Sequence, residues 1–301
     1  MQVVKYDLAV IGQIVLDHIG HNGRFRGPIL GGPAVYASLT ARALDASVTV
    51  TSTVGQDFGH RRLARLHDHG ISIRHIRVAN SQTTSFKINY HGSGRSMKVV
   101  SICDAIRAED LLRCPEANAI HIGPVLHEVP SRHAARLARR NTIVCLDPQG
   151  YFRYVATDGS VQVRNWRDNG VLKEIDVLKV SDDELKALIG NDRSTRKLAK
   201  LGPNIVFVTK GAKGSMVWSR EEGTFRVPAY KTCVVDPTGA GDAMAGAFLI
   251  SWNRTNDLIW SVAMGSAVAS FVVEKLGPTN FGTRRQIEHR AQAIFEQTTR
   301  L

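Results

Sequence analysis

Short apolar runs alternate along the chain with longer stretches in which apolar residues recur every three or four positions. The short runs are continuous and rich in Val, Ile and Leu, so they predict strands with both faces buried, and the longer stretches predict amphipathic helices. The strands are expected at Leu8–Ile11, Val48–Val54, Ala119–Ile122, Ile143–Leu146, Val177–Val180 and Ile205–Thr209. The helices are expected at Pro33–Leu44, Gly59–His69, Ser131–Arg140, Asp182–Ile189, Arg193–Leu201, Ala240–Trp252, Leu258–Glu274 and Arg284–Gln297.

This order of elements is typical of an α/β fold whose central, mainly parallel sheet is covered by helices on both faces. The connections are expected to be right-handed crossovers, and ligands are expected at the carboxyl ends of the strands. No repeat, low-complexity tract or long linker interrupts the pattern, so we expect one domain over residues 1–301.

One polar, β-prone region departs from this alternation. Thr83–Tyr90 and Ser96–Ile102 partly alternate polar with apolar residues, and a Gly-rich turn at His91–Arg95 separates them. The pattern predicts a hairpin with one face that is wet or covers a ligand, and Gln13–Ile19 is also β-rich. We interpret these parts, residues 13–20 and 83–102, as a small β-sheet lid. The alternative is an edge hairpin of the main sheet.

The composition is that of an ordinary globular protein, with 43% hydrophobic and 22% charged residues, and it argues against disorder or a fibrous fold. The four cysteines form no C-x-x-C pair, which favours buried thiols in a reducing compartment. The first residues lack a signal-peptide pattern, and no apolar run approaches the roughly 18 residues that a membrane span needs. We therefore expect a cytoplasmic protein with no membrane partner.

The formal charge of +12 and the pI of about 9.8 allow two interpretations. One is nucleic-acid binding, and the other is a basic surface on an enzyme with anionic ligands. The basic residues are scattered over predicted helices, without a docking motif or an aromatic-interleaved patch. This distribution favours the enzyme, with no nucleic-acid partner. The helical basic groups are Arg61, Arg62 and Arg65; Arg132, Arg136, Arg139 and Arg140; and Arg193, Arg196, Lys197 and Lys200.

The segment Asp236–Asp242, D-P-T-G-A-G-D, is the most informative motif. It lies between an apolar run and a predicted helix, and its glycines allow a tight turn and a close approach to a ligand. The amides of Gly239, Ala240 and Gly241 are expected to form an anion hole at the positive end of the helix dipole. Asp242 at its rim can accept the proton of an attacking hydroxyl. The plainer alternative is a helix-capping acid.

With this segment, and with Gly31-Gly32 before a small-residue helix at Pro33–Leu44, the chain resembles the ribokinase-like (PfkB) family of carbohydrate and nucleoside kinases. The resemblance extends over essentially the whole length. It implies a ribokinase-like α/β domain with a β-sheet lid, as a monomer or as a homodimer through the lid. It also implies transfer of the γ-phosphoryl group of ATP to a sugar, polyol or nucleoside hydroxyl with Mg²⁺, and it allows a monovalent cation as a further cofactor.

The resemblance implies roles for individual residues. Asp242 matches the catalytic base, and Gly239, Ala240 and Gly241 match the anion hole. Asp17 matches an aspartate that binds substrate hydroxyls, a task that suits a carboxylate because it can accept hydrogen bonds from two hydroxyls of a diol. The substrate-binding residues are expected to be Asp17, Gln13, Gly32, Pro33 and Tyr36.

On the donor side, the resemblance places ATP contacts at Ser181, Thr209, Gly211, Lys213 and Gly214, and metal contacts at Glu184, through water, and at Asp147. Two positions depart from the family pattern. Ser181 stands where asparagine is usual in N-x-x-E, and Ser181 with Glu184 also fits a helix capping box. In Asp147-Pro-Gln149, with Arg153 beyond it, glutamine replaces another usual asparagine.

Two features bear on the substrate. Tyr36 stands where many sugar kinases of the family have asparagine, which argues against ribose and fructose. Lys98–Ile106, K-V-V-S-I-C-D-A-I, is similar to the corresponding stretch of myo-inositol kinases. We therefore expect a kinase of a sugar or cyclic polyol, with myo-inositol favoured. A nucleoside kinase is the alternative, and a non-catalytic nucleotide or nucleic-acid binder is a distant one.

Overall fold

The computed structural model describes residues 5–92, 94–137, 142–191 and 195–301. The strands are β1 (Tyr6–Ile11), β2 (Val15–His21), β3 (Arg24–Gly31), β4 (Val48–Gly55), β5 (Ile71–Ala79), β6 (Ser85–His91), β7 (Gly94–Ser101), β8 (Ala117–Ile122), β9 (Ile143–Leu146), β10 (Arg153–Val155), β11 (Val161–Val163), β12 (Val177–Ser181), β13 (Ile205–Thr209), β14 (Ser215–Ser219), β15 (Gly223–Val227) and β16 (Thr299–Arg300). The helices are α1 (Pro33–Ala43), α2 (Gly59–Asp68), α3 (Ala108–Leu112), α4 (Ser131–Ala134), α5 (Gln149–Phe152), α6 (Asp182–Ile189), α7 (Thr195–Ala199), α8 (Ala240–Thr255), α9 (Leu258–Val272) and α10 (Arg284–Glu296).

The main sheet has ten strands in the order β16-β15-β14-β13-β12-β9-β8-β1-β4-β5. The seven strands from β13 to β5 in this order are parallel, and β14, β15 and β16 add an antiparallel edge. In the centre, Leu8 of β1 lies opposite Val48 of β4 and Ala119 of β8. The predicted mainly parallel sheet is therefore confirmed.

Helices cover both faces of this sheet. Neighbouring residues of a strand point to opposite faces, and β1 shows both cores: Leu8 and Val10 pack into one, Ala9 and Ile11 into the other. The first core is closed by α1, α2, α8, α9 and α10, and the second by α3, α4, α6 and α7. The apolar helix α9 has only 15 residues, and no helix of the described chain is long and apolar enough to cross a bilayer.

The lid is a separate four-stranded sheet in the order β3-β2-β6-β7. Strands β6 and β7 form the predicted hairpin, and β2 joins it in parallel, with His18 opposite Lys87. The alternative of an edge hairpin on the main sheet is therefore wrong. Strand β3 was not predicted, because its sequence R-F-R-G-P-I-L-G carries charges and an internal proline. It is an edge strand, where a proline without an N–H is tolerated.

Several predicted elements have different bounds. The helix expected at Ser131–Arg140 is α4 followed by a 3₁₀ turn at Ala135–Leu137, and residues 138–140 lie outside the described residues. The helix expected at Arg193–Leu201 is α7, and residues 193 and 194 also lie outside. Within the described residues, the α-helical bounds are shorter than helix propensity indicated, because propensity is only a weak preference. Strand β5 was missed because Arg and His residues on this half-exposed edge strand interrupt its apolar pattern.

Candidate active site

Several of the predicted site residues lie at the carboxyl ends of parallel strands. Strand β1 ends just before Gln13, β9 just before Asp147, and β12 and β13 end at Ser181 and Thr209, which are register partners. Strands β1, β8, β9, β12 and β13 are adjacent and parallel, so their carboxyl ends share one edge of the sheet. This edge therefore carries both predicted halves of the site.

The Asp236–Asp242 segment forms the turn into α8. The buried Asp236 carboxylate holds the turn by accepting hydrogen bonds from the amides of Thr238 and Gly277, each at 3.0 Å. Gly239 is the N-cap of α8 in the left-handed region, with φ 76°, and no side chain caps the helix. The first amides of the helix have no intrahelical partner, and only Ala240 has a long bond of 3.4 Å, to the carbonyl of Pro237. These amides are the ones for which the sequence predicts an anion hole, and that role stays a prediction.

Two neighbours explain why this turn needs its glycines. A Cβ on Gly239 would lie 2.2 Å from the ring of Tyr36, and a Cβ on Gly241 would lie 2.8 Å from Nζ of Lys179. Both distances are far inside van der Waals contact. Because these glycines have no side chain, the Tyr36 ring can pack against the turn at Gly239, and the Lys179 ammonium group can lie beside Gly241.

Asp242 lies in the first turn of α8 and is 8% exposed. Its Oδ1 accepts a hydrogen bond of 3.3 Å from Nε2 of Gln149. Burial, followed by the nearby Asp147 carboxylate, raises the pKa of Asp242 from 3.8 to about 7, against the opposing effects of Lys179 and Arg153. A carboxyl with a pKa near neutrality is matched to general-base work.

Lys179 and Asp147 form a buried ion pair of 2.5 Å beside the anion hole. Burial by itself lowers the pKa of Lys179, but the carboxylates of Asp147 and Asp242 outweigh it and raise that pKa above its usual value. The lysine is therefore a fixed positive charge next to Gly241. Sequence reasoning assigned it no role, although a lysine inside the apolar strand β12 (V-L-K-V-S) is a signal that could have been used.

Arg153 and Gln149 orient the carboxyl of Asp242. Nη1 of Arg153 donates to the carbonyl of Val125 at 2.9 Å, and Nη2 donates to Oε1 of Gln149 at 2.6 Å. With that oxygen occupied, the Gln149 amide group points its N–H toward Asp242. Gln149, which replaces the usual asparagine, is thus held between Arg153 and Asp242 by two hydrogen bonds.

Asp17 lies on β2 of the lid and is 3% exposed. Its Oδ1 has no hydrogen-bond partner, and Gly31 makes room for the other oxygen, because a Cβ there would lie 2.5 Å from Oδ2. Burial is the main cause that raises the pKa of Asp17 from 3.8 to about 7, and the Asp236 carboxylate adds to it. An unpaired buried carboxylate oxygen is costly, and a ligand hydroxyl can satisfy it.

The other predicted acceptor residues differ in their burial and hydrogen bonding. Gln13 is buried, and its amide is used within the protein: Nε2 donates to the carbonyl of Asp104 at 2.9 Å, and Oε1 accepts from Thr84 at 2.6 Å. Gly32 and Pro33 begin α1, where Gly32 is the N-cap with φ 86°. Tyr36 is 0% exposed and its hydroxyl has no partner. Their contacts with substrate stay predictions.

On the donor side, the capping box is observed. Ser181 caps α6, the Ser181 amide donates to Oε2 of Glu184 at 2.8 Å, and the Glu184 amide donates to Oγ of Ser181 at 3.3 Å. Beyond Thr209, a 3₁₀ turn at Gly211–Lys213 leads to Gly214, which has φ 80°. The exposed turn follows the strand next to Ser181, as donor contacts would require.

The lid touches the anion-hole segment directly. Oη of Tyr90 on β6 lies 2.8 Å from Oγ1 of Thr238, within hydrogen-bond distance. Apolar residues of the same sheet, Phe86 and Ile88, pack with Val15 and Val125 under the lid. The four-stranded sheet is therefore in direct contact with the Asp236–Asp242 segment. This contact was not predicted, because nothing local in either segment indicates it.

Comparison with known proteins agrees with this geometry. The family model for pfkB family carbohydrate kinase matches residues 3–284. The chain is 26% identical over 282 residues to cytidine kinase of Thermococcus kodakarensis, covering 90% of this chain and 97% of that protein. It is 26% identical over 285 residues to inositol 3-kinase of Arabidopsis thaliana, covering 90% and 75%.

The fold has a close match among solved structures. A sulfate complex of a pyrophosphate-dependent kinase in the ribokinase family has a TM-score of 0.80 and 23% identity, covering 94% of this chain and 99% of that one. The relatives differ in acceptor but share phosphoryl transfer. The chain belongs to the pfkB family of carbohydrate kinases, with a ribokinase-like fold, and it is a phosphotransferase that acts on a hydroxyl group.

Proposed function

We propose that the protein transfers the γ-phosphoryl group of ATP to a hydroxyl of a cyclic polyol, with myo-inositol as the favoured acceptor. The observation that carries the acceptor class is the buried Asp17 carboxylate, whose Oδ1 has no partner. The Tyr36 hydroxyl is also buried and unpaired. A ring with several adjacent hydroxyls supplies donors and acceptors for both groups.

The side chains divide the reaction between them. Asp242 takes the proton from the attacking hydroxyl, and the amides at the start of α8 hold the oxygens of the transferred phosphoryl group. Lys179 adds a fixed positive charge beside Gly241, where negative charge collects. Gln149 and Arg153 keep the Asp242 carboxyl oriented, so little reorganisation is needed at the moment of transfer.

The donor-side residues fit Mg²⁺ held through the phosphates. Among the described residues, no group of three or more His, Cys, Asp or Glu side chains could hold a metal alone. Glu184 and Asp147 are each hydrogen-bonded within the protein but keep lone pairs for water. Mg²⁺ prefers such sites, with one or two carboxylates, several waters and substrate phosphates, and it neutralises phosphate charge when bound.

The position of Lys98–Ile106 supports an inositol-like acceptor. The stretch leaves the lid at β7 and passes Gln13, which donates to the carbonyl of Asp104. The similarity to myo-inositol kinases therefore lies beside the acceptor side of the site. The inositol 3-kinase relative supports the same substrate class.

A nucleoside kinase is the second candidate. The underside of the lid is apolar, with Phe86 and Ile88 buried and Met97 beside them. Such a surface can pack against a nucleobase, and the relative from Thermococcus kodakarensis is a cytidine kinase.

A substrate panel tests the proposal. The rate of phosphoryl transfer from ATP and from pyrophosphate should be measured with myo-inositol, ribose, fructose, cytidine and adenosine. The proposal expects the highest kcat/KM for ATP with myo-inositol. A preference of at least tenfold for a nucleoside over every polyol supports the nucleoside kinase instead. Transfer from pyrophosphate but not from ATP refutes ATP as the donor.

The raised pKa of Asp242 predicts the pH dependence of kcat. Because the base works only when ionised, kcat should fall about tenfold for each pH unit below the pKa that Asp242 has in the complex with its substrates and level off above it. The raised pKa of about 7 in the free protein predicts that this fall begins near neutral pH. Initial rates at saturating substrates between pH 5.5 and 8.5 measure this. The residual activity of Asp242→Asn is the control for titration of the donor phosphates and should lack this limb. A flat wild-type profile contradicts the assignment.

The Tyr90–Thr238 contact predicts a role of the lid in excluding water. Tyr90→Phe removes one hydroxyl and should raise the ratio of donor hydrolysis to transfer, together with the KM for the acceptor, because the closed lid is destabilised. One lost hydrogen bond corresponds to about threefold to tenfold. Tyr154→Phe, at an exposed tyrosine outside the lid, is the matched control. Equal ratios in both variants show that the contact is not needed for closure.

A further inference from the structure

A cavity of about 440 Å³ lies between the outer lid strand and the main domain, and none of its lining residues is among the predicted site residues. It is bounded by the outer lid strand β3, by α1 and α2 of the main domain, and by the loop that follows α9. We call it the hinge cavity. Its lining residues are Pro28, Ile29, Leu30, Leu39, Arg61, Arg62, Arg65, Leu66, His69, Leu276, Pro278 and Thr279.

One wall of the hinge cavity is strongly basic. Arg61, Arg65 and His69 are spaced four residues apart, so they lie along one face of α2 and its end. The structure gives Arg61 and Arg65 no acidic partner among the described residues, and none of the residues lining the cavity is acidic. Arg62 is different, because it donates to the carbonyls of Asp57 and Phe58. Two like charges at this spacing repel each other, and a bound anion removes that repulsion.

Most of the remaining lining of the hinge cavity is apolar. Ile29 and Leu30 come from β3, Leu39 from α1, and Leu276 from the loop after α9. A free inorganic anion gains nothing from such a surface, whereas a molecule with an apolar body does. The volume lies within the range of pockets for small organic ligands. Paired arginines bind phosphate oxygens well, because each guanidinium presents a fork of donors.

The hinge cavity is connected to the reaction site in two places. Ile29 on β3 is the register partner of Asp17 on β2. The loop that supplies Leu276 continues into Gly277, whose amide donates to Oδ2 of Asp236 at 3.0 Å. A ligand in the cavity thus contacts the segments that support the acceptor carboxylate and the anion-hole turn.

We propose that the hinge cavity is a regulatory site for a small organic phosphate with an apolar body, and that its occupation changes acceptor binding through β3. The phosphate lies against Arg61 and Arg65, and the apolar part lies against Ile29, Leu39 and Leu276. Coupling between two such sites is typically about fivefold to 150-fold in affinity.

Binding is tested with phenyl phosphate as the probe, by calorimetry on the whole protein. A non-hydrolysable ATP analogue at saturation keeps the probe out of the donor site. Arg61→Gln/Arg65→Gln should weaken binding at least tenfold, whereas Arg132→Gln/Arg285→Gln, which removes the same charge from two other exposed arginines, should not. Equal affinities of the two double variants overturn the proposal, as does equal binding of inorganic phosphate and phenyl phosphate.

A second arm locates the probe and measures the coupling. Thr279→Trp places a large side chain at the exposed mouth of the cavity and should block the probe, and unchanged binding overturns the location. Saturating probe should change the KM for myo-inositol in wild type but not in Arg61→Gln/Arg65→Gln. This measurement alone rests on the proposed acceptor, and an unchanged wild-type KM refutes the coupling. If myo-inositol is not a substrate, the calorimetry still decides whether the site exists.

Discussion

Replacing Asp242 by asparagine is expected to lower kcat by about 10²–10⁴-fold while donor affinity stays nearly unchanged. The asparagine keeps the shape of the side chain, and its amide oxygen can still accept the hydrogen bond from Gln149. The first turn of α8 should therefore form as before. What is lost is the basic oxygen beside the anion hole. Steady-state rates and calorimetric titration with the donor measure the two quantities.

A matched control separates this role from general electrostatics. Asp183→Asn neutralises an exposed carboxyl on α6, next to Glu184, and should leave kcat within about twofold. If Asp242→Asn retains kcat within threefold of wild type, Asp242 is not the base. If both variants lose activity equally, the effect is one of net charge near the donor.

Replacing Asp17 by alanine is expected to lower kcat/KM for the acceptor by about 10²-fold or more, with little change in donor affinity. A hydrogen bond to a charged group contributes roughly 1.5–3 kcal/mol, and this carboxylate can accept from two hydroxyls. Because Oδ1 of Asp17 has no partner in the free protein, the loss should weaken acceptor binding without destabilising the fold. Acceptor and donor titrations of the kinetics measure this.

Stability measurements with Asp17→Asn guard against a purely structural explanation. A carboxyl whose pKa is raised from its ordinary value of 3.8 to about 7 by folding destabilises the fold above pH 7, and this penalty disappears as the pH falls toward 4. The Tm of Asp17→Asn relative to wild type should therefore be higher at pH 8 than at pH 5. If Asp17→Ala changes only the affinity for ATP, Asp17 does not belong to the acceptor site.

Tyr36 shows how the structure changes the meaning of a predicted residue. The sequence predicts a side chain that selects the acceptor. The structure buries the ring against Gly239, so the residue also supports the anion-hole turn. Burial is the main cause that raises the pKa of its hydroxyl, which therefore stays protonated and can donate a hydrogen bond. An exchange to asparagine would disturb both roles at once, and Tyr36→Phe is the cleaner test of the hydroxyl.

Local patterns were enough to predict the parallel sheet, the lid hairpin, the capping box at Ser181 and the turn at Asp236–Asp242. Each of these depends on neighbouring residues: the repeat of apolar positions decides which faces are buried, and glycines and capping side chains decide where the chain turns. The same information failed for β3, because an edge strand of the lid needs neither an apolar repeat nor an N–H at Pro28.

Only the tertiary structure decided which of the predicted site residues are in contact. Lys179 meets Asp147 across 32 positions of the chain, Gln149 meets Asp242 across 93, and Tyr90 meets Thr238 across 148. The sequence alone determined that polar and charged residues follow the predicted strands, but no local pattern indicates which strand ends lie side by side. Strand order and lid position settle that, because they set the distances over which burial and charge bring Asp242 to a pKa near 7.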